Sequence, residues 1–159
     1  MTNQEIAHLI SCEKVFCVKP RDASRVNKNM QQRFSVVSSS DQKSFEVFIA
    51  HSLIKPLDFS LGLMHDGFLL FRVNGFHGVT RSGFFTAKHH AYPHTHTLTQ
   101  TDVDRGNPKS PSRIDDVSGE YIDLFTATLY FFRRCGIIGF EKYFETSSQV
   151  SLFDPQIER

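Results

Sequence analysis

Residues 33–49 read RFSVVSSSDQKSFEVFI and decide the fold class. Phe34 and Val36 alternate with polar residues, and residues 45–49 resume the same period of two after a turn-like stretch at residues 38–41. This period gives each strand of an antiparallel hairpin one apolar face. The stretch therefore predicts two paired strands that cover a core on one side.

Further strands extend this hairpin into a meander. Residues 58–64 and 68–73 are largely apolar, and Asp66-Gly67 between them favours a tight turn because both residue types tolerate positive φ. Asn74-Gly75 carries the same turn signal at the end of the second run. Residues 95–101 alternate again and indicate a fifth strand. Two polar regions, residues 20–32 and 102–118, predict a loop and a long excursion.

Helical spacing of apolar residues appears near both ends of the chain. Thr2 is expected to cap a short helix over residues 3–11, and Ser118 a longer helix over residues 120–135 that covers one face of the sheet. The predicted fold class is α+β, an antiparallel β-meander of about five strands with a C-terminal covering helix. We expect residues 1–145 to form a single domain and residues 146–159 a flexible tail.

The composition narrows the classes of protein to consider. Lys and Arg total 18 against 17 for Asp and Glu, which lacks the broad basic field of non-specific nucleic-acid binding, so any such contact must be local. The 3 cysteines have no CxxC spacing and the first ten residues do not resemble a signal peptide, which predicts a cytoplasmic protein. No apolar run approaches the ~20 residues of a membrane helix, so we expect no membrane contact.

The tail carries the motif Gln149-Val150-Ser151-Leu152-Phe153. It resembles the clamp-binding motif of bacterial replication and repair proteins, which consists of Gln, a variable apolar residue, Ser or Asp, Leu and Phe. The resemblance implies docking on the DNA polymerase sliding clamp (the beta subunit), with Leu152 and Phe153 in an apolar pocket and Gln149 fixing the register. The alternative is that Leu152 and Phe153 fold back onto the domain.

Histidine is concentrated in the middle of the chain, where 5 of the 8 histidines fall between residues 77 and 96. On one strand His94 and His96 point to the same face, so the pair could act on one substrate or bind one metal ion. A third ligand could come from His77, His89, His90 or Asp102, and the spacing does not choose among them. The alternative is that these histidines only form hydrogen bonds with backbone carbonyls. The sequence therefore predicts no defined metal site, and any cofactor is unknown.

The central segment resembles the TumE-type toxins of bacterial toxin–antitoxin pairs. These proteins have a strand ending in Phe-Arg, a polar turn, a His, and then Pro-His-x-His. This chain has Phe71-Arg72, Asn74 where Asp is usual, His77, and Pro93-His94-Thr95-His96 after a longer insertion.

The TumE resemblance implies a His-dependent, ribonuclease-like toxin with a nucleic-acid substrate and an antitoxin partner. It makes His94 and His96 the base and the acid, and Arg72 and Lys88 the groups that stabilise phosphate charge. The candidate catalytic residues are His94, His96, Arg72, His77 and Lys88.

Two functions that do not exclude each other follow from these motifs. The first is a bacterial, phage or mobile-element protein that docks on the sliding clamp, with a toxin that interferes with replication as one form of this function. The second is a His-dependent nuclease of toxin type. Convergence of Arg72, His94 and His96 in a cleft favours the nuclease, whereas histidines scattered over the surface favour the interaction protein.

Overall fold

The computed structural model describes residues 1–77 and 88–144. Over these residues the fold is α+β, with an antiparallel sheet of eight strands and three α-helices. The strands are β1 Lys14–Phe16, β2 Ser24–Val26, β3 Asn29–Ser38, β4 Ser44–Ser52, β5 Phe59–His65, β6 Phe68–Asn74, β7 His94–Thr97 and β8 Arg113–Asp116. The helices are α1 Asn3–Ser11, α2 Gln100–Asp104 and α3 Leu124–Arg134, with short 3-10 turns at Lys88–Ala91 and Phe140–Lys142. The predicted α+β class and antiparallel sheet are confirmed.

The sheet is a meander at its centre. Its strand order is β1-β3-β4-β5-β6-β7-β8, with β2 paired to the start of β3. Asp66 and Gly67 connect β5 to β6 with φ of 48° and 79°, which confirms the predicted tight turn. Gly75, by contrast, follows the end of β6 and packs against the backbone of Leu57. A Cβ at this position would lie 2.2 Å from the Leu57 carbonyl oxygen. Close packing explains this glycine.

The predicted number of about five strands is wrong. The region 20–32, predicted as a loop, contains β2 and the first residues of β3, and β8 lies within the predicted excursion at residues 102–118. β2 is exposed at every position and β8 at all but one, so neither shows the alternation that identifies a half-buried strand. The predicted fifth strand ends at Thr97, and α2 follows.

The N-terminal helix was predicted correctly, and the start of the covering helix was not. Thr2 caps α1, since its hydroxyl oxygen accepts a hydrogen bond from the Glu5 amide at 3.2 Å while the Glu5 carboxylate accepts one from the Thr2 amide at 2.6 Å. α3 begins at Leu124 instead of Glu120, and its cap is Asp123, whose carboxylate accepts a hydrogen bond from the Thr126 amide at 2.8 Å.

The hydrophobic core lies between one face of the sheet and helices α1 and α3. Phe71 on β6 stacks on Phe131 of α3, with 6.3 Å between ring centroids. Lys14 is fully buried at the edge of this core, and its ammonium donates to the carbonyls of Ile10, Cys12 and Cys135 at 2.8 to 2.9 Å. One lysine therefore satisfies carbonyls at the C-terminal ends of both helices.

The opposite face of the sheet is polar where β5, β6 and β7 meet. Directly paired residues share a face, and the pairs that define this face are Ser60 with Asn74, Arg72 with His96, and Asn74 with His94. The core-facing positions between them are filled by residues such as Phe71 and Val73. This polar face carries the candidate site.

Two parts of the sequence-based prediction fall outside the described residues. They are the boundary at residue 145 and the tail that bears Gln149, Val150, Ser151, Leu152 and Phe153. Among the described helices, none has the length and apolar character needed to cross a membrane.

Candidate active site

Five imidazoles converge on the polar face of the sheet, and we call them the imidazole cluster. Its members are His77, His89, His90, His94 and His96. The His94 and His96 ring centroids are 5.1 Å apart, which confirms that β7 presents both to one side. The chain thus brings the predicted pair together with three other histidines.

The cluster is assembled from three elements. His77 follows the end of β6, His89 and His90 belong to the 3-10 turn Lys88–Ala91, and His94 and His96 lie on β7. The ring centroids of His77 and His90 are 4.1 Å apart, and those of His89 and His94 are 4.9 Å apart. Because β6 and β7 are hydrogen-bonded neighbours, residues distant in sequence meet at one corner of the sheet.

Hydrogen bonds to backbone carbonyls fix how His94 and His96 are oriented. Nδ1 of His94 lies 2.8 Å from the Tyr92 carbonyl oxygen, and Nδ1 of His96 lies 3.1 Å from that of Pro111. A carbonyl only accepts, so each Nδ1 carries the proton and each neutral ring has its lone pair on Nε2. The Nε2 lone pair of His96 can therefore act as a base or bind a metal ion, and that of His94 can bind a metal ion in place of its hydrogen-bond donors.

His94 is the centre of the cluster and is fully buried. Its Nε2 lies 3.1 Å from Nε2 of His77 and 3.2 Å from the side-chain amide nitrogen of Asn74. Tyr121 supports the backbone beneath it, since the phenol donates to the Asn74 carbonyl at 2.8 Å. Burial raises the pKa of Tyr121, so the phenol keeps its proton.

Four of the cluster histidines, His77, His90, His94 and His96, have lowered pKa values and are neutral at neutral pH. Burial and the neighbouring His90 and His94 lower the pKa of His77 to about 3. Burial also lowers the pKa of His94 to about 4, although its hydrogen bond to Tyr92 acts in the opposite direction. The pKa values of His90 and His96 are lowered as well, chiefly by burial. At neutral pH these rings therefore carry lone pairs that can bind a metal ion or take a proton transiently, and they do not act as acids.

Arg72 and Lys88 occupy different positions relative to the cluster. Arg72 is half-buried, and its Nε donates to the Ser60 hydroxyl at 2.7 Å and to the Asn74 side-chain oxygen at 3.0 Å. Arg72 is close enough to help lower the pKa of His77. Lys88 is exposed at the first residue of the 3-10 turn. The Arg72 guanidinium therefore belongs to the site, whereas the Lys88 ammonium lies at the solvent-exposed edge of the site.

Asp102 was a possible third metal ligand from the sequence, but in the structure it accepts hydrogen bonds from the backbone instead. One carboxylate oxygen accepts hydrogen bonds from the Thr99 amide at 2.9 Å and from the Ser112 amide at 3.1 Å. Burial alone would raise the pKa of Asp102, but the hydrogen bonds from Ser112 and Thr99 outweigh it and the pKa is lowered. Asp102 thus fixes the segment whose Pro111 carbonyl orients His96.

Sequence reasoning named His89 and His90 as possible ligands but not as catalytic candidates, and it missed the contribution of Tyr121. The adjacent pair in Lys88-His89-His90 was the available signal, but only the 3-10 turn brings both rings against β7. A shallow cavity of about 640 Å³ lies elsewhere, beside α1, and holds none of the five cluster histidines. Its lining lacks the convergent imidazoles, so we do not assign chemistry to it.

The site must be interpreted from its own residues. Imidazoles with oriented lone pairs beside a guanidinium can transfer protons, bind a metal ion and attract an anion. Comparison of the chain with family models, curated proteins and solved structures finds no match.

Proposed function

We propose that this protein is a His-dependent nuclease that cleaves single-stranded RNA at the imidazole cluster. The observation that carries the proposal is the convergence of five imidazoles beside Arg72 on one polar sheet face. Imidazole suits proton transfer near neutral pH, and guanidinium suits phosphate. A clustered arrangement favours the enzyme over the pure interaction protein.

A groove next to the cluster supports a nucleic-acid substrate. It has a volume of about 210 Å³, and its lining includes Arg33, Phe48, Ser60 and Arg72. The guanidinium carbon of Arg33 lies 5.7 Å from the Phe48 ring centroid. The Phe48 ring lies over Gly62, where an added Cβ would be 2.2 Å from a ring carbon. The guanidinium groups of this groove can bind phosphates, and a base can stack on the Phe48 ring if it takes the place of Arg33.

The proposed reaction uses the 2′-hydroxyl of RNA as the nucleophile. Nε2 of His96 takes the hydroxyl proton, the 2′ oxygen bonds to the adjacent phosphorus, and the bond from phosphorus to the 5′ oxygen breaks. The leaving oxygen takes a proton from solvent, which gives a 2′,3′-cyclic phosphate and a 5′-hydroxyl. Arg72 stabilises the charge on the phosphate oxygens, and Lys88 contacts the strand at the solvent edge. Buried His94 lies within hydrogen-bond distance of His77 and packs beside the ring of His96.

The test is a cleavage assay with end-labelled oligonucleotides of matched sequence as single-stranded RNA, single-stranded DNA and duplex. The proposal predicts cleavage of single-stranded RNA to products with a 2′,3′-cyclic phosphate. DNA should resist cleavage because it lacks the 2′-hydroxyl. If no RNA is cleaved with or without added zinc, the nuclease proposal is wrong.

The resemblance to TumE-type toxins extends this proposal to the cell. Expression of the protein in a bacterium is expected to arrest growth, and a partner encoded as an antitoxin is expected to relieve the arrest. His96→Gln should remove the arrest, and His8→Gln on the exposed face of α1 should not. Arrest that persists with His96→Gln would separate toxicity from the cluster.

Docking on the sliding clamp is a second candidate function, supported by the motif at residues 149–153. The two functions are compatible because the motif follows the last described residue, Phe144, which packs on Phe34 and Phe132. A tail bound to the clamp would deliver the nuclease to sites of replication. Binding of a tail peptide to purified clamp tests this proposal.

A further inference from the structure

We infer that His89, His94 and His96 bind one transition-metal ion, and that zinc fits their chemistry. The ligand atoms of these three residues all lie within 4.8 Å of one another. In a tetrahedral zinc site with bonds of about 2.0–2.1 Å, ligand nitrogens are about 3.3 Å apart. The three imidazoles therefore need to approach by at most about 1.5 Å, which small side-chain rotations supply.

The orientation of His94 and His96 is that of metal ligands. Each donates its Nδ1 proton to a backbone carbonyl, Tyr92 and Pro111 respectively, and therefore has its lone pair on Nε2. Metal-binding histidines characteristically have such an outer partner, which fixes both the tautomer and the ring plane. His94 also has a hydrogen-bond contact at Nε2 with the Asn74 amide, which a bound ion would replace.

The backbone that carries the ligands is well supported. His94 and His96 lie on β7, which pairs with β6 on one side and β8 on the other. His89 is on the 3-10 turn just before β7. Nε2 of His77 is 3.1 Å from Nε2 of His94, which already matches the spacing of two nitrogens on one ion. His77 therefore lies directly beside the proposed metal site.

The ligand type selects the class of metal. The three residues offer imidazole nitrogens, which suit zinc, nickel or copper, whereas magnesium and calcium require oxygen ligands. Three protein ligands with a further position are typical of catalytic rather than structural zinc sites, and zinc at such a position activates bound water. The inference stands on geometry and does not require the nuclease proposal. In the zinc-bound form, hydroxide on the zinc would replace the His96 lone pair as the base that takes the 2′-hydroxyl proton.

The test is a calorimetric titration of tag-free, chelator-treated protein with zinc. We expect one zinc ion per chain and no magnesium binding. His89→Gln and His96→Gln should each weaken zinc affinity by more than about 100-fold, beyond the 10- to 100-fold effect of an outer partner. His8→Gln is the matched control, since His8 is exposed on α1, and it should bind zinc like the wild type.

An X-ray absorption spectrum of the wild-type zinc complex tests the ligand set without relying on variants, which could misfold. It should show at least three imidazole ligands. Absence of stoichiometric zinc, fewer than three imidazoles, or unchanged affinity in both folded variants would overturn the inference. Zinc binding without RNA cleavage would leave the metal site intact and remove the nuclease proposal. Cleavage of RNA by a protein that binds no zinc would remove the metal site and leave the nuclease proposal intact.

Discussion

Nε2 of His77 lies 3.1 Å from Nε2 of His94, although the two residues are 17 positions apart in the chain. The hydrogen bond between Nδ1 of His94 and the Tyr92 carbonyl leaves a lone pair on its Nε2. In the metal-free protein, His77 must therefore donate its Nε2 proton to His94. If a metal ion binds, both nitrogens can turn lone pairs to it instead. This contact links the proton-transfer and metal-binding properties of the site.

The metal-free protein is predicted to lose stability in mild acid. The pKa of His77 is about 3 and that of His94 about 4 in the folded chain, against about 6.5 when unfolded. Below pH 6.5 the unfolded chain binds protons that the folded chain does not, so the free energy of unfolding falls as the pH falls from 6.5 towards 4. Urea unfolding in a chelator across this range measures the effect. His77→Gln should reduce the slope, and an equal slope in that variant would contradict the assignment.

Asp102→Asn is predicted to destabilise the protein by about 1–3 kcal/mol, because it weakens several hydrogen bonds at a buried acceptor. The loss should also lower the RNA-cleavage rate, since the amide of Ser112 anchors the segment that orients His96. Asp104→Asn is the control on the same helix, at an exposed position. Thermal unfolding and cleavage rates measure both effects, and two variants that behave alike would contradict this role.

Much of the fold could be predicted from the sequence, because interactions between residues close in sequence determine these elements. The α1 capping box, the Asp66-Gly67 turn and the β3–β4 hairpin each depend on neighbours within a few residues. β2 and β8 were not predicted because short polar strands form through pairing with neighbouring strands, which local sequence does not reveal. The predicted cap Ser118 is wrong for a similar reason, because Ile122 fits the apolar spacing of a helix yet is 75% exposed and precedes Leu124, where α3 begins.

The candidate site could be predicted in part for the same reason. The shared face of His94 and His96 follows from strand geometry alone. The approach of His77, His89 and His90 depends on the pairing of β6 with β7 and on the 3-10 turn, which spacing cannot reveal. The full burial of His94 depends on these same tertiary contacts and does not follow from the sequence. Replacement of His94 by Ala would open a cavity, so His96 is the better test position.

Arg72 and Arg33 are predicted to act at different stages of the reaction. Arg72→Gln should lower kcat by about 10²–10³-fold, because the guanidinium stabilises charge that develops on phosphate in the transition state. Arg33→Gln, in the adjacent groove beside Phe48, should mainly raise KM. Steady-state cleavage of a labelled RNA separates the two parameters. A change in KM alone for Arg72→Gln would place this residue in binding rather than catalysis.

A peptide spanning residues 147–159 is predicted to bind a bacterial sliding clamp with micromolar affinity, on the order of −7 to −9 kcal/mol. Leu152→Ala and Phe153→Ala should each weaken binding by roughly 2 kcal/mol or more because each empties an apolar pocket. Gln149→Ala should cost less, and Val150→Leu should bind as well or better. Fluorescence polarisation with a competing clamp-binding peptide measures this. No competable binding at ~100 μM clamp would exclude docking by this motif.

The most direct test of the imidazole cluster as a nuclease centre is the cleavage rate of single-stranded RNA by the wild type and by His96→Gln, with His8→Gln as control. His96 is half-buried and its Nε2 is the proposed base, so the variant should fold with little change in melting temperature. We predict that His96→Gln lowers kcat by about 10²–10⁴-fold, the range of general acid–base catalysis, while His8→Gln matches the wild type. A folded His96→Gln variant that cleaves RNA at the wild-type rate would contradict the account.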